Sequence, residues 1–440
     1  MQSQSKALPL ISWLALCLTA SVSASASASA STQQIHCGAI FDAERAVLLG
    51  PHILSVTDGK FDRVEEVRHP TSVVRAGDID LRQSTCLPGL IDMHVHLGMQ
   101  SSPAAYSEGF RLNPEDYAYR SVGYARRTLE AGFTTVRDLG GVHTLALRNA
   151  IDQGLIQGPR IIAAGKSIAT TGGHADPRNG ISRELAESLG YPGPEEGVIA
   201  GPIEARRAVR QRYKEGSDVI KITATGGVLS FAKSADNPQF MEDEIRAIVD
   251  TAHDYGFRVA AHAHGLEGMR RAVNAGVDSI EHGTYMDAAT FELMKTRGTW
   301  YVPTVLAGVF VSEKSREIGY YPEIVRPKAA RIGALIQGTL GRAYAAGVRI
   351  AFGTDAGVFP HGENAREFEL MVEAGVPSAA ALQSATWNAS LLLDRNDDLG
   401  SLSVGKRADL VAVAGNPVDE IALMKAPVLV MKDGVIALQH

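Results

Sequence analysis

The sequence predicts an α/β protein: a (β/α)8 barrel with a small β-sandwich domain formed by both termini. Three observations carry this. Eight short, mostly apolar segments alternate with helical ones across the middle of the chain. Several of these helices end in a glycine followed at once by a β-branched run that closes on a polar residue. The two ends instead show short apolar runs between Asp-Gly, Gly-Lys and Asn-Pro turns. The expected boundaries are 31–87 and 397–440 for the β domain and 88–396 for the barrel.

The leader comes first. Lys6 precedes an apolar run over 8–20, and a Ser/Ala-rich stretch then offers small-residue cleavage sites such as Ala28-Ser29-Ala30. The run has 13 residues, short of the roughly 20 that span a bilayer. Residues 1–30 therefore read as a signal peptide without stable membrane insertion, and the mature protein as periplasmic or secreted. Leu16 stands where a lipoprotein signal would carry a small residue before Cys17. Of the three cysteines, Cys37 and Cys86 remain in the mature chain; a disulfide and two buried thiols are both compatible with the sequence.

The repeating unit is explicit in the barrel region. Gly132 leads into 133–138, Gly216 into 218–221, Gly256 into 258–262, Gly276 into 278–282 and Gly347 into 349–355; 90–94, 160–164 and 299–302 complete eight strands. Helices are expected over 115–131, 202–215 (with proline in the first turn), 241–255 and 326–346. No Gly-x-Gly-x-x-Gly follows the first strand, which argues against a doubly wound sheet. Composition excludes further classes. The chain of 440 residues is 45% hydrophobic and 21% charged, enough for a large core. A net charge of −6 without a basic run argues against a nucleic-acid partner.

The strand ends hold the chemistry. His94 and His96 lie two apart on one extended segment and so face the same way. With 13 histidines in the chain, one such pair is an ordinary coincidence. The convergence is not: Lys221, His262, His282 and Asp355 each close a different expected strand, where barrel enzymes place catalytic groups. Imidazoles and a carboxylate suit Zn2+, and no Cys-x-x-Cys offers a thiolate site. An ammonium at Lys221 would repel the metal. Its neighbours Val219, Ile220 and Ile222 favour the neutral amine, which reacts with CO2 to a carbamate able to bridge two ions; the other reading is a cation for an anionic substrate.

Taken together, Ile91-Asp-Met-His-Val-His96, Val-Ile-Lys-Ile222, Ala-His-Ala-His264, Ile-Glu-His-Gly283 and Gly-Thr-Asp355 resemble the amidohydrolase superfamily, as do Leu87-Pro-Gly-Leu90 and Gly400-Ser-Leu-Ser-Val-Gly-Lys-Arg-Ala-Asp-Leu410. Within it the chain is most similar to imidazolonepropionase-like dipeptidases acting on Xaa-Pro or Xaa-Arg/Lys amides, and to ochratoxin-hydrolysing amidohydrolases. The resemblance implies two zinc ions per subunit, one held by His94, His96 and Asp355 and the other by His262 and His282, bridged by N6-carboxylysine at Lys221. Deaminases of the superfamily carry a glutamate three residues after the strand-five histidine; Gly265 stands there instead. The implied reaction is hydrolysis of an amide to a C-terminal amino acid, in a small dipeptide or N-acyl amino acid, with Asp355 as general base and then acid. His174, His264, His361 and Asn364 are the expected substrate contacts, and relatives of this kind form homo-oligomers. Hydrolysis of a cyclic amide would use the same ligand set; a non-catalytic binding barrel is the third reading.

Overall fold

A computed structural model describes residues 32–67 and 73–440; the expected leader lies outside the described residues. Glycine and proline punctuate the helices as the sequence suggests. Helix Pro202–Glu215 begins on its proline and ends at Gly216 with φ 83°, and helix Leu266–Ala275 ends at Gly276 with φ 96°. Each turn feeds a strand.

The terminal regions supply β1 (Gln33–Asp42), β2 (Val47–Leu49), β3 (His52–Thr57), β4 (Lys60–Glu66) and β5 (Ile79–Pro88), joined by β15 (Leu410–Ala414), β16 (Pro427–Lys432) and β17 (Val435–Gln439). They form one hydrogen-bonded path, β17-β16-β15-β5-β1-β3-β4, with β2 beside β1. The two ends of the chain meet where β5 pairs antiparallel with β15, Cys86 opposite Ala412. The expected strands run antiparallel with one exception, β1 and β5, which are parallel. The register shifts between Cys37 and Ala39, and a Cβ on the intervening Gly38 would lie 2.3 Å from the Arg82 carbonyl oxygen. Cys37 and Cys86 are bonded across this pair. Alternation along β15 then serves two cores: Leu410 and Ala412 face the β domain, while Val411 and Val413 pack with the barrel.

The barrel strands are β6 (Leu90–Val95), β7 (Phe133–Asp138), β8 (Arg160–Ala163), β11 (Ile220–Thr223), β12 (Val259–Ala263), β13 (Ser279–His282) and β14 (Trp300–Val302). All pair in parallel within β6-β7-β8 and β11-β12-β13-β14. Nearly every residue in them is buried, as a sheet covered on both faces requires. Two seams close the ring. Between β8 and β11, Ile168 N–H donates to Lys221 O at 2.8 Å. Between β14 and β6, residues 349–356 form an irregular eighth strand: Ala351 N–H donates to Tyr301 O (3.0 Å) and Asp355 N–H to His94 O (2.7 Å). The excursion after β8 adds a parallel pair that the sequence pattern does not announce, β9 (Ala169–Thr170) with β10 (Val198–Ile199). No helix among the described residues is long and apolar enough to cross a membrane.

Candidate metal centre at the barrel mouth

The strand ends deliver their polar residues to one place. His94 from β6 and His96 just beyond it, Lys221 from β11, His262 from β12, His282 at the end of β13 and Asp355 from the closing segment line a common cavity of about 260 Å³. His174 and His264 line it too. Two of the strand-end residues sit in a backbone conformation that side chains seldom adopt, His282 at φ 69° and Asp355 at φ 61°, and Thr304 beyond β14 joins them at φ 53°. Left-handed backbone costs about 1–3 kcal/mol per residue and persists where surrounding structure imposes it, as it does around functional sites.

The donor atoms are close and short of partners. His94 Nε2 and His96 Nε2 lie 3.5 and 3.3 Å from Asp355 Oδ1, and Lys221 Nζ is 3.4 Å from His94 Nε2. Asp355 Oδ1 is buried and accepts no hydrogen bond. His94, His282 and Asp355 present one set of ligand atoms, and His262, His264 and His282 a second. The second set includes His264, which the sequence places among substrate contacts only.

The remaining ring nitrogens are fixed from behind. His94 Nδ1–H donates to Glu281 Oε2 (2.9 Å), His96 Nδ1–H to Gly140 O (3.0 Å) and His262 Nε2–H to Gly226 O (3.0 Å). Each bond sets a tautomer and leaves the opposite nitrogen's lone pair for a metal. His282 Nδ1 and His264 Nδ1 pair with the hydroxyls of Thr304 (2.7 Å) and Thr284 (2.8 Å). Burial holds His94, His262 and His282 well below the usual imidazole range, so they are neutral and able to act as ligands. Burial also lowers Lys221 to about 8, favouring the neutral amine that carboxylation requires. Burial opposes ionisation of Asp355, but the neighbouring His94, His96 and Lys221 side chains outweigh it and hold the carboxyl below its usual value. The neutral His94, His262 and His282 imidazoles, a carboxylate oxygen with no hydrogen-bond donor and a softened lysine fit a pair of divalent ions. Gly265 carries nothing: a Cβ there would lie 1.9 Å from the Asp236 carbonyl oxygen, so the glutamate of the deaminases has no room.

Two expected substrate contacts are elsewhere. Asn364 is fully buried and donates to Asp92 Oδ2 at 2.8 Å, away from the cavity lining. Asp92 also accepts from the His94 and Thr354 backbone N–H groups and the Thr354 hydroxyl. Asn364 thus braces the seam between β6 and the closing segment. His361 turns the other way, stacking on Tyr124 of helix Pro114–Glu130 (ring centroids 4.8 Å) and donating from Nε2 to Met99 O at 2.9 Å. His174, by contrast, sits within the cavity with its ring centroid 4.5 Å from that of His262.

Sequence reasoning passed over the buried support. Glu281 bonds His94 on one oxygen and receives Arg137 Nη2 on the other (2.9 Å), while Arg137 Nε donates to Met93 O (2.7 Å). Both side chains are almost fully buried. The signal was present: charged residues within strands expected to be buried, Arg137 in β7 and Glu281 directly before His282.

The comparisons agree with this geometry. The amidohydrolase family matches residues 85–437. An Aspergillus niger ochratoxinase is 33% identical over 374 residues, covering 81% of this chain and 76% of that protein. Among solved structures, a Xaa-Pro dipeptidase with bound methionine in its active site is 49% identical with a TM-score of 0.88, covering 92% of this chain and 99% of that one. A prolidase complexed with N-methylphosphonate-L-proline is 31% identical with a TM-score of 0.82, covering 93% and 100%. The chain belongs to the amidohydrolase family of hydrolytic enzymes.

Proposed function

We propose that the protein is a binuclear metal-dependent hydrolase of an amide bond to a C-terminal amino acid, in a dipeptide or an N-acyl amino acid. The observation that carries this is the ring of ligand atoms around Asp355 Oδ1, a buried carboxylate oxygen with no hydrogen-bond donor of its own. The similar Xaa-Pro dipeptidase and prolidase support a dipeptide, and the ochratoxinase supports an N-acyl amino acid as substrate.

His94, His96 and Asp355 would hold one zinc ion, His262 and His282 the other, with carboxylated Lys221 between them. The ions, when bound, supply Lewis acidity and lower the pKa of water. The protein's own groups do the rest. Asp355, poised at the cluster and held ionised, takes the proton of the attacking water and returns it to the departing nitrogen. His174 and His264, both neutral because burial lowers them to about 3, offer N–H donors to the carboxylate or the developing oxyanion. Glu281 and Arg137 keep His94 aimed. The bonded Cys37–Cys86 pair and the leader support export to an oxidising compartment.

The test is Lys221→Ala, which should lose metal and amide turnover together and regain both with short carboxylic acids. Undiminished dipeptide turnover after exhaustive chelation would end the proposal. Turnover of lactams in preference to every dipeptide would replace it with cyclic amide hydrolysis.

A further inference from the structure

The cavity has two chemically distinct walls. One is the histidine, lysine and aspartate cluster. The other is apolar and includes Val228, Ala307, Val311, Ile332, Ile336 and Val358. Every ionisable residue that lines the cavity belongs to the cluster or is His174 or His264. A substrate ammonium or guanidinium would find only Asp355 as counter-charge here, and a carboxylate only Lys221, both of them inside the cluster and none on the apolar side.

This apolar wall is built to keep its shape. Helices Val305–Lys314 and Arg326–Ala345 cross at glycines: a Cβ on Gly308 would come within 2.6 Å of Ile336 Cγ2, and one on Gly333 within 3.1 Å of the Gly308 carbonyl oxygen. The loop carrying Val228 is tied to the second helix by one ammonium. Lys328 Nζ donates to the carbonyl oxygens of Gly227 (3.2 Å), Ser230 (2.7 Å) and Ala232 (2.7 Å). Three donors on three loop carbonyls use all the hydrogen-bonding capacity of the group, so Lys328 is spent on holding the wall and is not available to a substrate.

We infer that this recess is the specificity subsite, that it takes an uncharged hydrophobic side chain, aliphatic or aromatic, and that it rejects basic and acidic ones. The inference rests on the proposed hydrolysis and narrows its substrate class.

Two dipeptide series on the zinc-loaded enzyme test it: Gly, Leu, Met, Phe, Lys and Glu varied before a fixed C-terminal alanine, and the same six varied after a fixed N-terminal alanine. In the series whose variable residue enters the recess, kcat/KM for Leu, Met and Phe should exceed that for Lys and Glu by about 100-fold or more, because an unpaired charge must be desolvated. Val228→Glu should raise the Lys-to-Leu ratio at least about tenfold by supplying the missing counter-charge. Ala307→Leu, which fills the recess, should instead lower the Phe-to-Gly ratio and serves if the first variant does not fold. Charged and apolar residues turned over within about threefold of each other in both series would overturn the inference. If fully metallated enzyme turns over no dipeptide, the hydrolytic proposal fails on its own. The recess is then judged by calorimetry with L-methionine, L-phenylalanine, L-lysine and L-glutamate, where apolar preference sustains it and equal binding ends it.

Discussion

The two ends of the barrel use charge in opposite ways. At the end where the strands begin, Arg160 of β8 reaches Asp409 Oδ2 (2.8 Å), Asp433 Oδ1 (2.6 Å) and the Thr135 hydroxyl (2.8 Å), and Arg407 pairs with Asp398 and Asp433. These cations and carboxylates satisfy one another. At the end where the strands finish, Asp355 Oδ1 has no donor, three histidines are forced neutral, and two strand-end residues hold left-handed backbone. One end is arranged for stability and the other is left unsatisfied for something to bind. In barrels of this type chemistry gathers at the C-terminal face and conserves its strain there.

Substitutions at the two ends should therefore separate activity from stability. At the mouth, Asp355→Asn should lower kcat by about 10³-fold or more, the scale of a lost general base, with the melting temperature unchanged or raised because a buried charge is gone. Single-turnover kinetics and calorimetry on the same sample check both halves. At the floor, Asp409→Ala leaves Arg160 buried with one partner fewer and should cost about 3–5 kcal/mol of stability, read by denaturant unfolding, while kcat per folded molecule holds. A loss of activity larger than the loss of folded protein would erase the contrast between the ends.

What the sequence discloses follows the same division. Lys221, His262, His282 and Asp355 could be placed at the barrel mouth from sequence because each closes a short expected strand that a glycine turn announces, and His94 and His96 because they lie two apart at another strand end; the Gly216 and Gly276 turns appear as expected. His361 and Asn364 were misplaced because they lie in a loop whose path is set by contacts with Tyr124 and Asp92, far away in sequence. The parallel pairing of β1 with β5 escaped for a related reason: strand pattern fixes which face is buried, not which neighbour or direction is chosen. Glu281 and Arg137 escaped because a charge within a strand shows that something must pair with it but not what, and their partners lie on other strands.

Those two residues sharpen the comparison, since they are a fully satisfied ion pair lying directly beneath the unsatisfied site. Glu281→Gln keeps the shape but removes the charge that orients the His94 imidazole. Metal affinity should fall by about 10–100-fold, the usual effect of losing a carboxylate behind a ligating histidine. Competition with a chelator of known strength measures it. Retention of affinity alongside a large fall in stability would make the pair part of the floor's logic, not the mouth's.

The smallest expected effect concerns a carboxyl between the two regimes. Glu367 is buried and accepts the Val305 and Leu306 N–H groups (2.8 and 2.6 Å) at the start of the helix that walls the recess. Burial raises its pKa from 4.5 to about 8, against the pull of those two N–H donors. A carboxyl with a raised folded-state pKa binds its proton more tightly folded than unfolded, so stability falls as pH climbs through the interval between the two values, here from about 4.5 to about 8. The Glu367→Gln variant has no such titration. The difference in unfolding free energy, wild type minus variant, should therefore be most favourable to the wild type near pH 5 and should decline steadily toward pH 8. A flat difference across that range would mean that the helix N-terminus already holds Glu367 ionised, and the wall of the recess would then be anchored by a charge in the manner of the barrel floor.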